Sequence, residues 1–271
     1  MEPQNQVWLP PPAKPTLGDN EVHIWQAQLE PPPSALPKLR SILAPDELDK
    51  AARFYFDSDR QHYIVGRATL RLILSLYINV NPEHIHFHYN EYGKPRLAPE
   101  FDPHLLNFNL SHSGGVALYA LTHNRAIGID LERIRSDFTY TEIAERFFSP
   151  QENALLQTVP AEDKLQAFFN CWTRKEAFIK AHGQGLSLPL DSFDVSFAPG
   201  QPPALLNMRG SPQEPAHWTL HGLSPGPGYA AALAVKAQTS NFKYWQWPLP
   251  TPHTAAATRT ACSSPPTASS S

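Results

Sequence analysis

Two stretches decide how this chain folds: Gly128-Ile129-Asp130-Leu131-Glu132 and Trp172-Thr173-Arg174-Lys175-Glu176-Ala177-Phe178-Ile179-Lys180. In the first, apolar and acidic residues alternate with period two, which predicts a strand. Asp130 and Glu132 then share one face, with Cα atoms about 6.5–7 Å apart. The second has a helical period. Counted from Leu165 at about 100° per residue, Phe169, Trp172, Glu176 and Ile179 fall within roughly one 80° sector. Glu176 therefore lies in an apolar stripe, with Lys175 and Lys180 on its margins. A carboxylate on such a stripe is costly unless it is paired or holds a metal. Three oxygen ligands flanked by lysines suit a Mg²⁺ that carries a phosphorylated substrate.

Each motif alone has a plainer explanation. Asp130 and Glu132 would suit the solvated face of a hairpin strand whose other face is Ile127, Ile129 and Leu131. Glu176 would suit an ion pair with Lys180, four residues on in the favoured Glu-to-Lys order. The two motifs together shift the balance toward a shared site.

Working outward, the chain of 271 residues has a net charge of −3, which gives no bulk electrostatic case for nucleic acid or membrane. No run approaches the roughly 18 apolar residues of a membrane span, and no basic-then-apolar start marks a signal peptide. With two cysteines, Cys171 and Cys262, a disulfide framework is excluded, and a cytoplasmic location is expected. Residues 1–20, with Pro10-Pro11-Pro12, and the Thr/Ala/Ser/Pro-rich stretch after 248 are expected to lack structure.

Between them, strands are predicted at Val22–Trp25, His84–Tyr89, Asn107–Leu110, Ser192–Phe197, Trp218–Leu220 and Tyr229–Val235. Val116–Thr122 and Ala126–Leu131 are predicted to form a hairpin around Asn124. Helices are predicted after Ala44-Pro45, over Tyr63–Tyr77, near Thr141–Phe148, after the capping-box spacing Ser149-Pro150-Gln151-Glu152, and over 162–181, ending at Gly183. Ser111-His112-Ser113-Gly114-Gly115 reads as a small-residue loop whose backbone N–H groups could meet a phosphate. His84, His86 and His88 span about 13 Å on a straight strand, too far for one tetrahedral ion. Ala51-Ala52-Arg53-Phe54-Tyr55 echoes Ala144-Glu145-Arg146-Phe147-Phe148, each ahead of a long helix, and divides the core near residue 125.

Taken with Phe54-Tyr55-Phe56, Glu91-Tyr92-Gly93-Lys94-Pro95, Asn109-Leu110-Ser111-His112-Ser113-Gly114 and Gly185-Leu186-Ser187-Leu188-Pro189-Leu190-Asp191-Ser192-Phe193, these motifs resemble the 4′-phosphopantetheinyl transferases of the larger, monomeric Sfp type. The resemblance covers roughly residues 21–238. It implies an α+β fold of two similar lobes in a pseudo-dimer, residues 21–125 and 126–238, between an unstructured segment 1–20 and a low-complexity tail 239–271. It implies Mg²⁺ and coenzyme A in the cleft. It further implies transfer of phosphopantetheine to a serine of an apo acyl, polyketide or peptidyl carrier protein, with release of adenosine 3′,5′-bisphosphate. By motif position, Asp130, Glu132 and Glu176 match the metal-binding acids, Glu176 and Lys180 the catalytic pair, and Lys50, Lys94, Ser111, His112 and Lys175 the coenzyme A contacts. Two positions depart from the pattern. His62 is a further expected coenzyme A contact, standing where an arginine often grips the 3′-phosphate, so that either His62 or one of Arg53, Arg60 and Arg67 would hold that group, and Glu47 stands in place of a lysine. Two other readings stay open: an inactive binder of coenzyme A or carrier proteins, and a Mg²⁺-dependent phosphohydrolase.

Overall fold

The computed structural model describes residues 6–101, 106–183, 185–238 and 240–248. Strand β1 (Glu21–Gln28) is followed by the short helix α1 (Leu36–Arg40), then α2 (Pro45–Ala52), α3 (Asp57–Ile78), the hairpin β2 (Phe87–Tyr89) and β3 (Pro95–Leu97), and strands β4 (Leu106–Ser113) and β5 (Val116–His123). The second half runs β6 (Ile127–Arg133), α4 (Tyr140–Phe147), α5 (Pro150–Thr158), α6 (Lys164–His182), β7 (Phe193–Val195), β8 (Leu205–Met208), β9 (Thr219–Leu223), β10 (Tyr229–Val235) and β11 (Asn241–Gln246). The α+β class follows from two main sheets, ordered β11-β1-β5-β4 and β6-β10-β9, each backed by one long helix.

The period of two places every strand residue. On β1 and β5, Trp25, Ala27, Ala117, Tyr119 and Leu121 face α3, while Val22, Ile24, Val116, Leu118 and Ala120 face the other sheet. On β10 and β6, Leu233, Val235, Ile127, Ile129 and Leu131 meet them, and Ala230, Ala232 and Ala234 face the core around α6. Three apolar layers result, the central one joining the lobes. This arrangement overturns the predicted β5–β6 hairpin. Asn124 (φ 53) does turn the chain, but β6 pairs with β10, Asp130 opposite Ala232, whereas β5 pairs with β1 and β4. The apolar face of β6 is needed between the lobes, so the strand changes sheets. Side chains on every second residue of β4 reach across to β6 instead: Asn109 Oδ1 accepts from Ile129 N (2.9 Å), and Ser113 Oγ accepts from Arg133 N (3.0 Å).

Helix α6 lies so close over β6 that a Cβ at Gly128 would stand 2.2 Å from the Ala177 carbonyl oxygen. Only glycine fits there. The capping box at α5 forms as expected, with Ser149 Oγ accepting from Glu152 N and Glu152 Oε2 accepting from Ser149 N, and Gly183 (φ +81) ends α6.

Other expectations are corrected. The loop predicted to begin at Ser111 starts later: Ser111 and His112 belong to β4, opposite Leu118 and Ala117, and the turn lies at Gly114 and Gly115, both at positive φ. Pro82–His84 forms a 3₁₀ turn, so only Phe87–Tyr89 of the expected His84–Tyr89 strand is extended. From Gln6 onward the N-terminal segment makes defined contacts: Trp8 Nε1 donates to the Ser224 carbonyl, and Leu9 bridges Trp245. The segment after 239 supplies β11, which lies parallel to β1 and completes the first sheet. Residues 1–5 and 249–271 lie outside the described residues.

Candidate active site

A cleft of about 510 Å³ between the lobes is lined by Leu110, Ser111, His112, Asp130, Glu132, Trp172, Glu176 and Lys180. β4 delivers Ser111 and His112, β6 delivers Asp130 and Glu132 on its face toward α6, and α6 delivers Trp172, Glu176 and Lys180 one turn apart. The plainer alternative, a Glu176–Lys180 ion pair, gives way to a longer-range pair. Lys180 Nζ stands 2.6 Å from Asp130 Oδ1 and donates to Ser111 Oγ at 3.1 Å, while Ser111 Oγ donates to Asp130 Oδ1 at 3.1 Å. Glu132 Oε2 accepts from Ser113 Oγ at 3.0 Å.

The three carboxylates burden one another. Burial, then the Asp130 charge, lifts the Glu132 carboxyl above its ordinary pKa. Burial, then Asp130, pushes Glu176 up to about 6. Asp130 Oδ2 is buried without a hydrogen-bond partner. Among the described residues, no three acidic or imidazole side chains close into a metal-ligand set as they stand, since Lys180 holds Asp130 and Ser113 holds Glu132. The donor chemistry nevertheless fits a hard divalent cation: all-oxygen ligands, an orphaned carboxylate oxygen and mutual repulsion that a cation would relieve. Asp130, Glu132 and Glu176 are the residues that would hold it.

His112 keeps an exposed edge on the cleft wall, and desolvation against that wall, then the neighbouring His62, lowers its pKa. His62 itself stands 3.6 Å from Glu30. Lys50 lies in a second cavity of about 570 Å³ with Asp46, Arg53, Phe54, Tyr63 and Tyr89. Of the three candidate arginines, Arg53 alone lines it. Arg60 is bound to Asp57 and the Phe54 carbonyl, and Arg67 to Glu47 and Tyr89. Glu47 is a buried anchor rather than a cavity residue, held by Arg67 and by Arg71 Nε at 2.7 Å.

Two expected coenzyme A contacts, Lys175 and Lys94, do not line the cleft. Lys175 is fully buried, with Nζ 2.7 Å from Glu152 Oε2 and from the carbonyls of Leu190 and Phe193. One residue along a helix is a rotation of about 100°, which turns Lys175 into the lobe while Glu176 faces the cleft. Lys94 Nζ donates to the carbonyls of Ile127 and Lys180, and burial lowers its pKa to about 8. The sequence reading missed Trp172 and Leu110 as cleft walls and Glu152 as the partner of Lys175. The capping-box spacing marked Glu152, but nothing local showed what its carboxylate would meet.

Residues 126–234 match the family described as the 4′-phosphopantetheinyl transferase superfamily, and residues 27–124 match the 4′-phosphopantetheinyl transferase N-terminal family. The 4′-phosphopantetheinyl transferase HetI of Nostoc sp. is 41% identical over 84% of this chain and 93% of its own length. The 4′-phosphopantetheinyl transferase Sfp of Bacillus subtilis is 37% identical over 58% of this chain and 68% of its own length. This chain belongs to the 4′-phosphopantetheinyl transferases.

Proposed function

We propose that the protein transfers 4′-phosphopantetheine from coenzyme A to the serine hydroxyl of an apo acyl, polyketide or peptidyl carrier protein, with Mg²⁺, releasing adenosine 3′,5′-bisphosphate. The observation that carries this reading is the convergence of Asp130, Glu132, Glu176 and Lys180 on one cleft also lined by Ser111 and His112. Asp130, Glu132 and Glu176 would hold the Mg²⁺, which would supply charge neutralisation at the pyrophosphate. The serine Oγ attacks the phosphorus that bears pantetheine. An Oγ–P bond forms, the bond from that phosphorus to the bridging oxygen breaks, and its electron pair leaves on the 5′-phosphate of the nucleotide. Glu176 takes the serine proton. Lys180 neutralises the departing phosphate, and Ser111 and His112 donate to the pyrophosphate. Lys50 and Arg53, which face the second cavity, hold the 3′-phosphate. Both lobes of one chain line the cleft, which supports action as a monomer. No helix among the described residues is long and apolar enough to cross a membrane.

The test is to incubate the protein with coenzyme A, Mg²⁺ and an apo carrier protein, then weigh the carrier and identify the nucleotide. A carrier heavier by one phosphopantetheine, with adenosine 3′,5′-bisphosphate released, supports the proposal. Nucleotide cleavage without carrier modification, or no reaction with any carrier class, overturns it.

A further inference from the structure

The turn between β2 and β3 grips the far end of α6. Asn90 shapes the turn, its Oδ1 accepting from Tyr92 N at 3.0 Å and Lys94 N at 2.8 Å, and Gly93 (φ +78) reverses it. Asn90 Nδ2 then donates to the Gly183 carbonyl at 3.0 Å. Lys94 Nζ donates to the Lys180 carbonyl at 2.6 Å and the Ile127 carbonyl at 2.9 Å. The last carbonyls of a helix lack partners within it, and a cation there also meets the negative end of the helix dipole. The turn from one lobe therefore caps the helix of the other.

The two carbonyls chosen by Lys94 belong to the two elements that carry the Lys180–Asp130 pair. Ile127 starts β6 three residues before Asp130, and Lys180 is the cleft lysine itself. We infer that Lys94 is a positioning residue: with Asn90 it fixes the offset of α6 along β6 and so sets where Lys180 stands against Asp130 and Ser111, without touching substrate. The close approach at Gly128 fixes the depth of that crossing, and the Lys94 bridge fixes its register. The inference rests on the proposed transfer reaction for its rate readout, but not for its second readout.

The experiment uses the full chain and the variants Lys94→Met, Lys94→Arg and Asn90→Ala. It measures kcat and KM for coenzyme A with an apo carrier, calorimetric binding of coenzyme A, and amide hydrogen exchange of peptides covering 176–183. The expected result for Lys94→Met is a fall in kcat of about 10- to 100-fold, the scale of a small misplacement of a reacting group. KM and coenzyme A binding stay within about twofold, a benchmark for no lost substrate contact, and exchange quickens at the end of α6. Asn90→Ala lowers kcat in the same direction by less, and its effect does not add fully to that of Lys94→Met. Lys94→Arg recovers part of the rate. A rise in KM and weaker coenzyme A binding with kcat retained would make Lys94 a substrate contact and overturn the inference, as would unchanged exchange in 176–183. If Lys94→Met does not fold, Asn90→Ala and Lys94→Arg decide by the same criteria. If the wild-type chain modifies no carrier, the functional proposal fails, and hydrogen exchange alone still decides the latch.

Discussion

The two lobes use one structural device and put it to different ends. In each, a short helix begins with proline, and the glutamate of its first turn reaches back to the cap residue: Glu47 Oε2 accepts from Ala44 N, and Glu152 Oε2 from Ser149 N, both at 2.9 Å. In each, that glutamate also takes a cation from the lobe's long helix, Arg67 and Arg71 of α3 or Lys175 of α6. Both glutamates are nearly fully buried, 2% and 3% exposed. What differs is the residue that follows the cation. Arg71 is followed by Leu72, which packs on the lobe's own core. Lys175 is followed by Glu176, which faces the cleft. A buried ion pair of this kind holds the helix rotation in both lobes, and in the second lobe it turns the neighbouring position to the cleft. The similarity also accounts for the place of Glu47: it stands in the anchoring position that Glu152 occupies in the other lobe.

The sharpest break of the comparison is at the position that differs. Glu176→Gln should lower turnover at least about 100-fold while leaving the melting temperature within a degree or two of wild type, because it relieves repulsion with Asp130 and Glu132 rather than removing a partner. Near-normal turnover at low Mg²⁺ would remove Glu176 from the chemistry.

The shared device should behave alike in the two lobes. Glu47→Gln and Lys175→Met each leave an opposite charge buried without its partner, and each should cost about 3–5 kcal/mol of stability by denaturant titration. Turnover per folded molecule should persist in Glu47→Gln, and KM for coenzyme A should be unchanged in Lys175→Met. A tenfold rise in KM with normal stability would return Lys175 to phosphate binding.

The lobes also differ in how they are closed. The first sheet is completed by β11 from the end of the chain, where Trp245 packs on Trp25 with ring centres 6.4 Å apart and on His23 at 5.8 Å. Trp245→Ala should cost about 2–3 kcal/mol, below the 3–5 of a fully buried tryptophan because this one is half-buried. The rate per folded molecule should not change. A collapse of that rate would place the last strand in the carrier interface.

A pH slope runs in the same seam. Burial lowers His23 to about 4 from its ordinary 6.5, and likewise His221, which lies 2.6 Å from the Tyr244 hydroxyl. The folded protein therefore binds fewer protons than the unfolded chain between those values. This contribution is fully present above pH 6.5 and is lost as the pH falls toward 4, at up to about 1.4 kcal/mol per pH unit for each histidine. Denaturant midpoints at pH 7 and 5 check the sign, and His23→Gln should flatten the slope. Greater stability at pH 5 would mean that the rings are charged in the fold.

The sequence by itself determined the acid strand, the helix carrying Glu176 and Lys180, the capping box at Ser149 and the stop at Gly183, while the α+β class came from the family resemblance of the motifs together. The local features are short-range properties: a period of two or 3.6, a cap spacing, a glycine past a helix end. Tertiary structure alone decided which sheet β6 joins, since Ile127, Ile129 and Leu131 would satisfy a hairpin core as well as the layer between the lobes. It alone decided that Lys94 and Lys175 meet backbone carbonyls and Glu152, because a lysine on a helix margin or in a turn is placed by partners distant in sequence. It also set Trp8 against Ser224 and β11 against β1. Trp8, Tyr244 and Trp245 carry no periodic signal, and their burial depends on surfaces that exist only once the two sheets have packed.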